Sequence, residues 1–328
     1  MHPDNARELK SRLLRLLGSA AAAQGAGEPP RRLWVAVGLT PLGRGRARVA
    51  VRLERASDRD VLPDLGPAAQ GELDVRVIGP VHALSSVASR WTASSRWSPA
   101  ALQQHVRPLR PGLSVAHLTV SAGTLGGFVR RADGLAILSN NHVLAASNAA
   151  SPGDAVLQPG PADRGTALDR IATLAAFDLL RPDARNLVDA AVATLDADVA
   201  AEPGDLPGGP LGPVVVPSLD IDPEEDVEKV GRTTGHTRGR ISAVEVDGVA
   251  VQYDDAIHTF DDQIEIEGRA GGFSAGGDSG SVIWRSRDRS PLGLLFAGST
   301  TGGSGGAGVT FANPLATVLD RLDAVWVS

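Results

Sequence analysis

Residues 276–281 read Gly-Gly-Asp-Ser-Gly-Ser, and this stretch could do covalent chemistry. A serine flanked by glycines, with an acid just before it, suits a nucleophile at the tip of a tight turn. Gly277 lets the chain turn without a Cβ in the way, so its N–H can face a substrate. The N–H of Ser279 supplies a second donor at the point where an oxyanion would form. Gly280 keeps the far side of the turn open. The competing reading is a plain surface turn, because Gly, Ser and Asp build those too and the chain holds 38 glycines. Acyl transfer by Ser279 needs a histidine base and a buried acid elsewhere, and one known chain order is His, Asp, Ser.

Both partners stand where strands could position them. Residues 135–144 (LAILSNNHVL) form an apolar strand ending in a polar turn that delivers His142. The strand fixes the imidazole and the turn exposes its Nε2. Residues 186–193 (NLVDAAVA) place Asp189 at the head of a small-residue strand, a costly place for a carboxylate unless something pairs with it. Asp183, Asp196 and Asp198 are rival acids. His117 and His236 read as structural or subsite residues. The seven histidines are scattered, with no His-x-x-x-His pair and no cysteine, so no metal site is expected. The glycines at 302–308 are followed by no Gly-Lys-Ser/Thr, so they form no phosphate loop and no cofactor is expected.

With His142, Asp189 and Ser279 in order, residues from about 108 onward resemble trypsin-like serine peptidases of the chymotrypsin double-barrel fold. More narrowly they resemble the group that includes the plant narrow-leaf type and its bacterial relatives. The matching stretches are 121–126 (SAGTLG), 138–144 (LSNNHVL), 157–160 (LQPG), 186–193, 230–239 (VGRTTGHTRG) and 276–281. The resemblance implies that Ser279 is the nucleophile, His142 the general base and Asp189 the orienting acid. Gly277 and Ser279 are then the oxyanion donors. It also implies that the pocket for the side chain before the scissile bond has Phe273 as its floor, with Ser274 beside it. Ala297, Gly298 and Ser299 form its wall. These positions carry no charge, so small or medium apolar side chains are expected there. The chain lacks the Ile-Val-Gly-Gly start of the animal enzymes, so Asp278 is expected to pair internally or not at all.

The rest of the chain sets the frame. Strand candidates at 33–39, 46–53 and 73–77, the last two alternating apolar and polar, follow an amphipathic helix expected at 5–17. Asn5 and Glu8 read as its capping box and Gly18 as its stop. Leucines on one helical face favour that helix over a cleaved leader. The expected organisation is mainly β. A small α/β domain (1–82) and a linker (83–112, holding Trp91 and Trp97) precede a double-barrel peptidase domain (113–328). Its first barrel covers about 113–222 and its second about 223–328. Asn313 and Pro314 are read as the cap of a final helix at 315–325. Net charge of −6 without charge blocks argues against nucleic acid, and no apolar run reaches the ~18 residues of a membrane span. The absence of cysteine suits a reducing cytoplasm. The expected partner is a protein or peptide substrate, with homo-oligomerisation left open. The alternative is a triad-bearing scaffold or binding protein of the same fold. An esterase of the α/β-hydrolase type would need a Gly-x-Ser-x-Gly elbow, which is missing.

Overall fold

Short alternating segments separated by glycine turns produce strands here, and two curved sheets result. The computed structural model describes residues 1–23, 34–84 and 95–328. One sheet has eight strands: β5 (Ser114–His117), β6 (Gly123–Thr124), β7 (Gly127–Arg131), β8 (Gly134–Ser139), β9 (Ala155–Leu157), β10 (Arg170–Phe177), β12 (Ala191–Leu195) and β21 (Val325–Val327). It curls into an open half-barrel in the order β21-β7-β8-β12-β10-β9-β5-β6. β11 (Arg185–Asn186) lies between β10 and β12 in the chain but pairs with the other sheet. That sheet contains a closed ring formed by β13 (Asp226–Gly231), β14 (Gly235–Asp247), β17 (Gln263–Gly268), β20 (Thr310–Pro314), β19 (Pro291–Gly298) and β18 (Val282–Arg285). The molecule is therefore mainly β, with the chymotrypsin-like double-barrel architecture.

The segment before residue 84 joins the second ring edge to edge. Helix α1 (Pro3–Ala23) buries Ala6 and Leu13 against β1 (Val35–Pro41) and β2 (Ala47–Leu53). β2 pairs with β3 (Leu73–Val77), and β1 pairs antiparallel with the far half of β14. Both faces of β2 are covered, so Arg52 is buried and meets Glu265 of β17 at 2.7 Å. The small strand β4 (Val81–Ala83) straddles the expected boundary at 82/83. It lies between β19 and β15 (Val249–Gln252), and β15 in turn pairs with β16 (Ile257–Phe260).

Several local expectations need correction. α1 runs through Gly18 to Ala23, because a lone glycine weakens a helix without ending it. The final helix spans Leu315–Arg321 and has no side-chain cap. The chain then turns at Asp323 (φ +48°), and Val325–Val327 crosses to β7 of the first sheet. Asn313, expected at the cap, lies instead in the interior. In the expected linker, Leu102 and Leu109 are fully buried and the Arg96 and Arg110 guanidinium groups lie over the Trp97 ring. Trp91, and Leu33 of the first expected strand, lie outside the described residues.

Candidate active site

Strand register brings His142 and Asp189 together. β8 and β12 pair antiparallel with Ser139 opposite Ala191. His142 sits three residues beyond the end of β8, on a helical turn (Asn141–Leu144), and Asp189 sits two residues before β12. Their side chains meet at 2.5 Å, Nδ1 to Oδ2, and the His142 N–H donates to Oδ1 at 3.2 Å. An ionised carboxylate only accepts, so Nδ1 carries the proton and Nε2 is left as the acceptor. That Nε2 is buried and has no hydrogen-bond partner among the described residues.

The Asp189 main chain is clamped on both sides. Its N–H donates to Asn313 Oδ1 at 3.0 Å, and its carbonyl accepts from Asn140 Nδ2 at 2.6 Å. The Tyr253 hydroxyl donates to Asp189 Oδ2 at 2.7 Å. Burial alone would raise the Asp189 carboxyl. The electrostatic attraction of the His142 ring and the hydrogen bonds from His142 and Tyr253 outweigh it and hold the group below the usual carboxylate range. Burial first, then the Asp189 charge, pushes the Tyr253 phenol well above its ordinary value, so it stays a donor. The rival acids are elsewhere: Asp183 and Asp198 are exposed, and Asp196 pairs with Arg170 at 2.9 Å.

Ser279 tips the turn between β17 and β18 and is fully buried. Gly277 has φ +96°, where a side chain would be strained. Gly280 has φ +95°, and a Cβ there would stand 2.1 Å from Ser139 Oγ and 2.3 Å from Thr124 O. Its role is thus close docking against the first sheet, where an open far side was expected. Thr124, inside the 121–126 stretch, ties the turn down: its N–H donates to Ser279 O at 2.8 Å and its hydroxyl to Gly277 O at 2.9 Å.

Asp278 pairs internally. Its carboxylate accepts from the N–H groups of Thr233, Thr234 and Ala275 and from the Thr234 hydroxyl at 2.6 Å. Lys229 Nζ lies 3.3 Å away, and both side chains are fully buried. Burial pushes the Lys229 ammonium down and Asp278 only partly offsets that. The Thr-Thr-Gly run at 233–235, inside the matching stretch 230–239, thus holds the acid beside the nucleophile.

The position in front of Ser279 is filled by the chain itself. Leu84 O accepts from the Gly277 N–H at 2.7 Å, the donor expected for an oxyanion. The Ser279 hydroxyl lies 3.3 Å from that oxygen and 3.2 Å from Phe296 O, and it makes these contacts in place of one to the imidazole. Of the expected pocket residues, Ala297 and Gly298 pair with Ala83 and His82. A Cβ on Gly298 would stand 3.5 and 3.6 Å from the two Leu84 methyls. Phe273 is buried with Lys229 Nζ 5.5 Å from its ring centroid. Ser274 bonds Thr310 at 2.7 Å, and the Ser299 hydroxyl accepts from the Val309 N–H at 3.1 Å. A cleft of about 550 Å³ opens beside His142, lined by Ala83, Thr119, Ala122, Val143 and Tyr253 among others. His236 pairs with Glu228, and His117 with Thr119 and Asp154, away from these groups.

No protein-family model matches the chain, and no curated protein matches it. Among solved structures it is similar to Thermobifida fusca protease A, 17% identical over 67% of this chain and 100% of that one, TM-score 0.45. It is similar to a Cellulomonas bogoriensis chymotrypsin, 16% identical over 67% of this chain and 99% of that one, TM-score 0.44. It is also similar to a Nocardiopsis protease, 17% identical over 67% and 100%, TM-score 0.46.

Proposed function

We infer that the protein is a serine endopeptidase of the trypsin-like type, with a sequence resemblance to the narrow-leaf group and its bacterial relatives. The observation that carries this reading is the Leu84 carbonyl: a peptide oxygen bonded to the Gly277 N–H, 3.3 Å from the Ser279 hydroxyl. The chain continues on both sides of that peptide, which suits cleavage within a chain. Ser279 Oγ attacks the substrate carbonyl carbon and His142 Nε2 takes its proton. Asp189 holds the ring tautomer and stabilises the imidazolium. His142 then protonates the leaving amine, and water hydrolyses the acyl-enzyme. Resting hydrogen bonds between nucleophile and base are often not yet formed.

The pocket beside Gly298 holds an aliphatic side chain, which supports the expected preference for small or medium apolar residues before the cut. A library of quenched peptides tests both points. Cleavage chiefly after Leu or similar residues, abolished in Ser279→Ala, is expected. Cleavage chiefly after Arg, Lys or Glu would contradict the pocket assignment. A second reading, an inactive scaffold, is favoured by the unpartnered His142 Nε2 and the self-occupied site; it predicts no cleavage of any peptide.

A further inference from the structure

Residues 81–84 lie in the candidate site as a substrate strand would. β4 fills the gap between two strands of the second sheet. It runs antiparallel to β19, with Ala83 opposite Ala297 and His82 opposite Gly298. It runs parallel to β15, with Val81 opposite Val251. The Leu84 N–H reaches Phe296 O at 3.4 Å. Main-chain bonds of this kind are how an extended peptide adds to a sheet edge. Leu84 itself is nearly buried, with its methyls against Gly298. Its carbonyl oxygen is polarised by the Gly277 N–H and stands beside the Ser279 hydroxyl. The contacts at the C-terminal end of this segment, from Phe296, Gly298, Gly277 and Ser279, all belong to the candidate active site.

We propose that the Leu84–Ser85 peptide bond is the enzyme's own substrate, and that the chain cuts itself there. The proposal rests on the serine-peptidase reading and names the first substrate of that site. Ser279 Oγ bonds to the Leu84 carbonyl carbon while its proton passes to His142 Nε2. The C–N bond to Ser85 breaks, and the Ser85 nitrogen leaves as an amine carrying that proton. Water then attacks the Leu84 ester, giving a Leu84 carboxylate and restoring the Ser279 hydroxyl. The groups are held together within one chain, so the cut is intramolecular and needs no second copy. Other substrates take the same slot between β15 and β19, and the cut strand must leave it to admit them.

The test follows the full-length wild type, Ser279→Ala and Leu84→Asp chains by intact mass during incubation, with fluorophosphonate labelling in parallel. Wild type should convert to two pieces, one ending at Leu84 and one beginning at Ser85, at a rate independent of protein concentration. Ser279→Ala should stay whole. Leu84→Asp should also stay whole, because a carboxylate does not suit the apolar pocket, yet its Ser279 should take the label. A whole wild-type chain with a labelled Leu84→Asp chain overturns self-cleavage while sparing the peptidase reading. A whole wild-type chain with no labelling of either overturns both. Cutting at another bond, cutting of Ser279→Ala, or a rate proportional to concentration also overturns the proposal. If Leu84→Asp does not fold, the wild-type and Ser279→Ala pair still decides where and whether the cut occurs.

Discussion

Three donors converge on the Asp189 carboxylate: the His142 main-chain N–H, the His142 ring and the Tyr253 hydroxyl. Replacing the carboxylate by an amide removes the group that selects the imidazole tautomer. Asp189→Asn should lower kcat by about 10⁴, the size of that effect in the best-studied triad, with KM nearly unchanged. A mild loss there with a severe one in Asp183→Asn would move the orienting acid. Tyr253→Phe removes one hydrogen bond to a charged group, worth about 1.5 kcal/mol, so kcat should fall roughly tenfold. Ser279→Ala and His142→Ala should each remove most activity, and the double variant should be little worse than either alone. Losses that multiply would mean the two do not act as a unit. At this scale the sequence was informative about Ser279, His142 and Asp189, because each sits in a short local pattern. It was silent on Tyr253 and took Asn313 for a helix cap, because their partners lie 64 and 124 residues away.

Buried ions link several elements across the apolar core. Lys229 of β13 shares a face with Val227, so an alternating strand carries a cation where an apolar residue is expected. That was the available signal for a buried partner, which proves to be Asp278. Lys229→Met leaves the Asp278 charge unpaired and should cost about 3–5 kcal/mol, read as a lower denaturant midpoint. A second ionic seam joins the N-terminal strands to the closed ring: Arg76 bridges Asp74 at 2.9 Å and Glu267 at 2.7 Å. Burial would raise both carboxyls. Arg52 and Arg76 hold Asp74 below its ordinary range, and Ser304 with Arg76 and Arg240 does the same for Glu267. Because the folded values are depressed, the unfolded chain binds more protons as pH falls. This stability is present above about pH 4, where unfolded carboxyls titrate, and is lost below it. Urea midpoints measured from pH 6 to pH 3 should therefore drop below about pH 4. Arg76→Ala should flatten that dependence; an unchanged profile would mean the seam is not what acid breaks.

At the scale of the whole molecule, the chain is interlocked at both ends. β1 pairs with β14 near the start, and β21 returns to β7 at the end. Alternation made the strands at 46–53 and 73–77 readable, but it says nothing of which sheet they join, since edge pairing uses backbone groups alone. For the same reason β4 left no mark in the sequence: three residues have no period, and their partners are the site itself. The shared core and the Arg52–Glu265 pair cross the Leu84 position. A chain cut after Leu84 should accordingly elute as one particle of unchanged size in native buffer and separate only in denaturant. Separate elution of the two pieces would contradict this packing.

The central claim is that Ser279 is a nucleophile activated by His142. Fluorophosphonate treatment followed by peptide mapping tests it most directly, on the wild type and on Leu84→Asp. The account predicts a covalent adduct on Ser279 that is lost in His142→Ala. No adduct on Ser279 in either chain, or an adduct indifferent to His142→Ala, would contradict it.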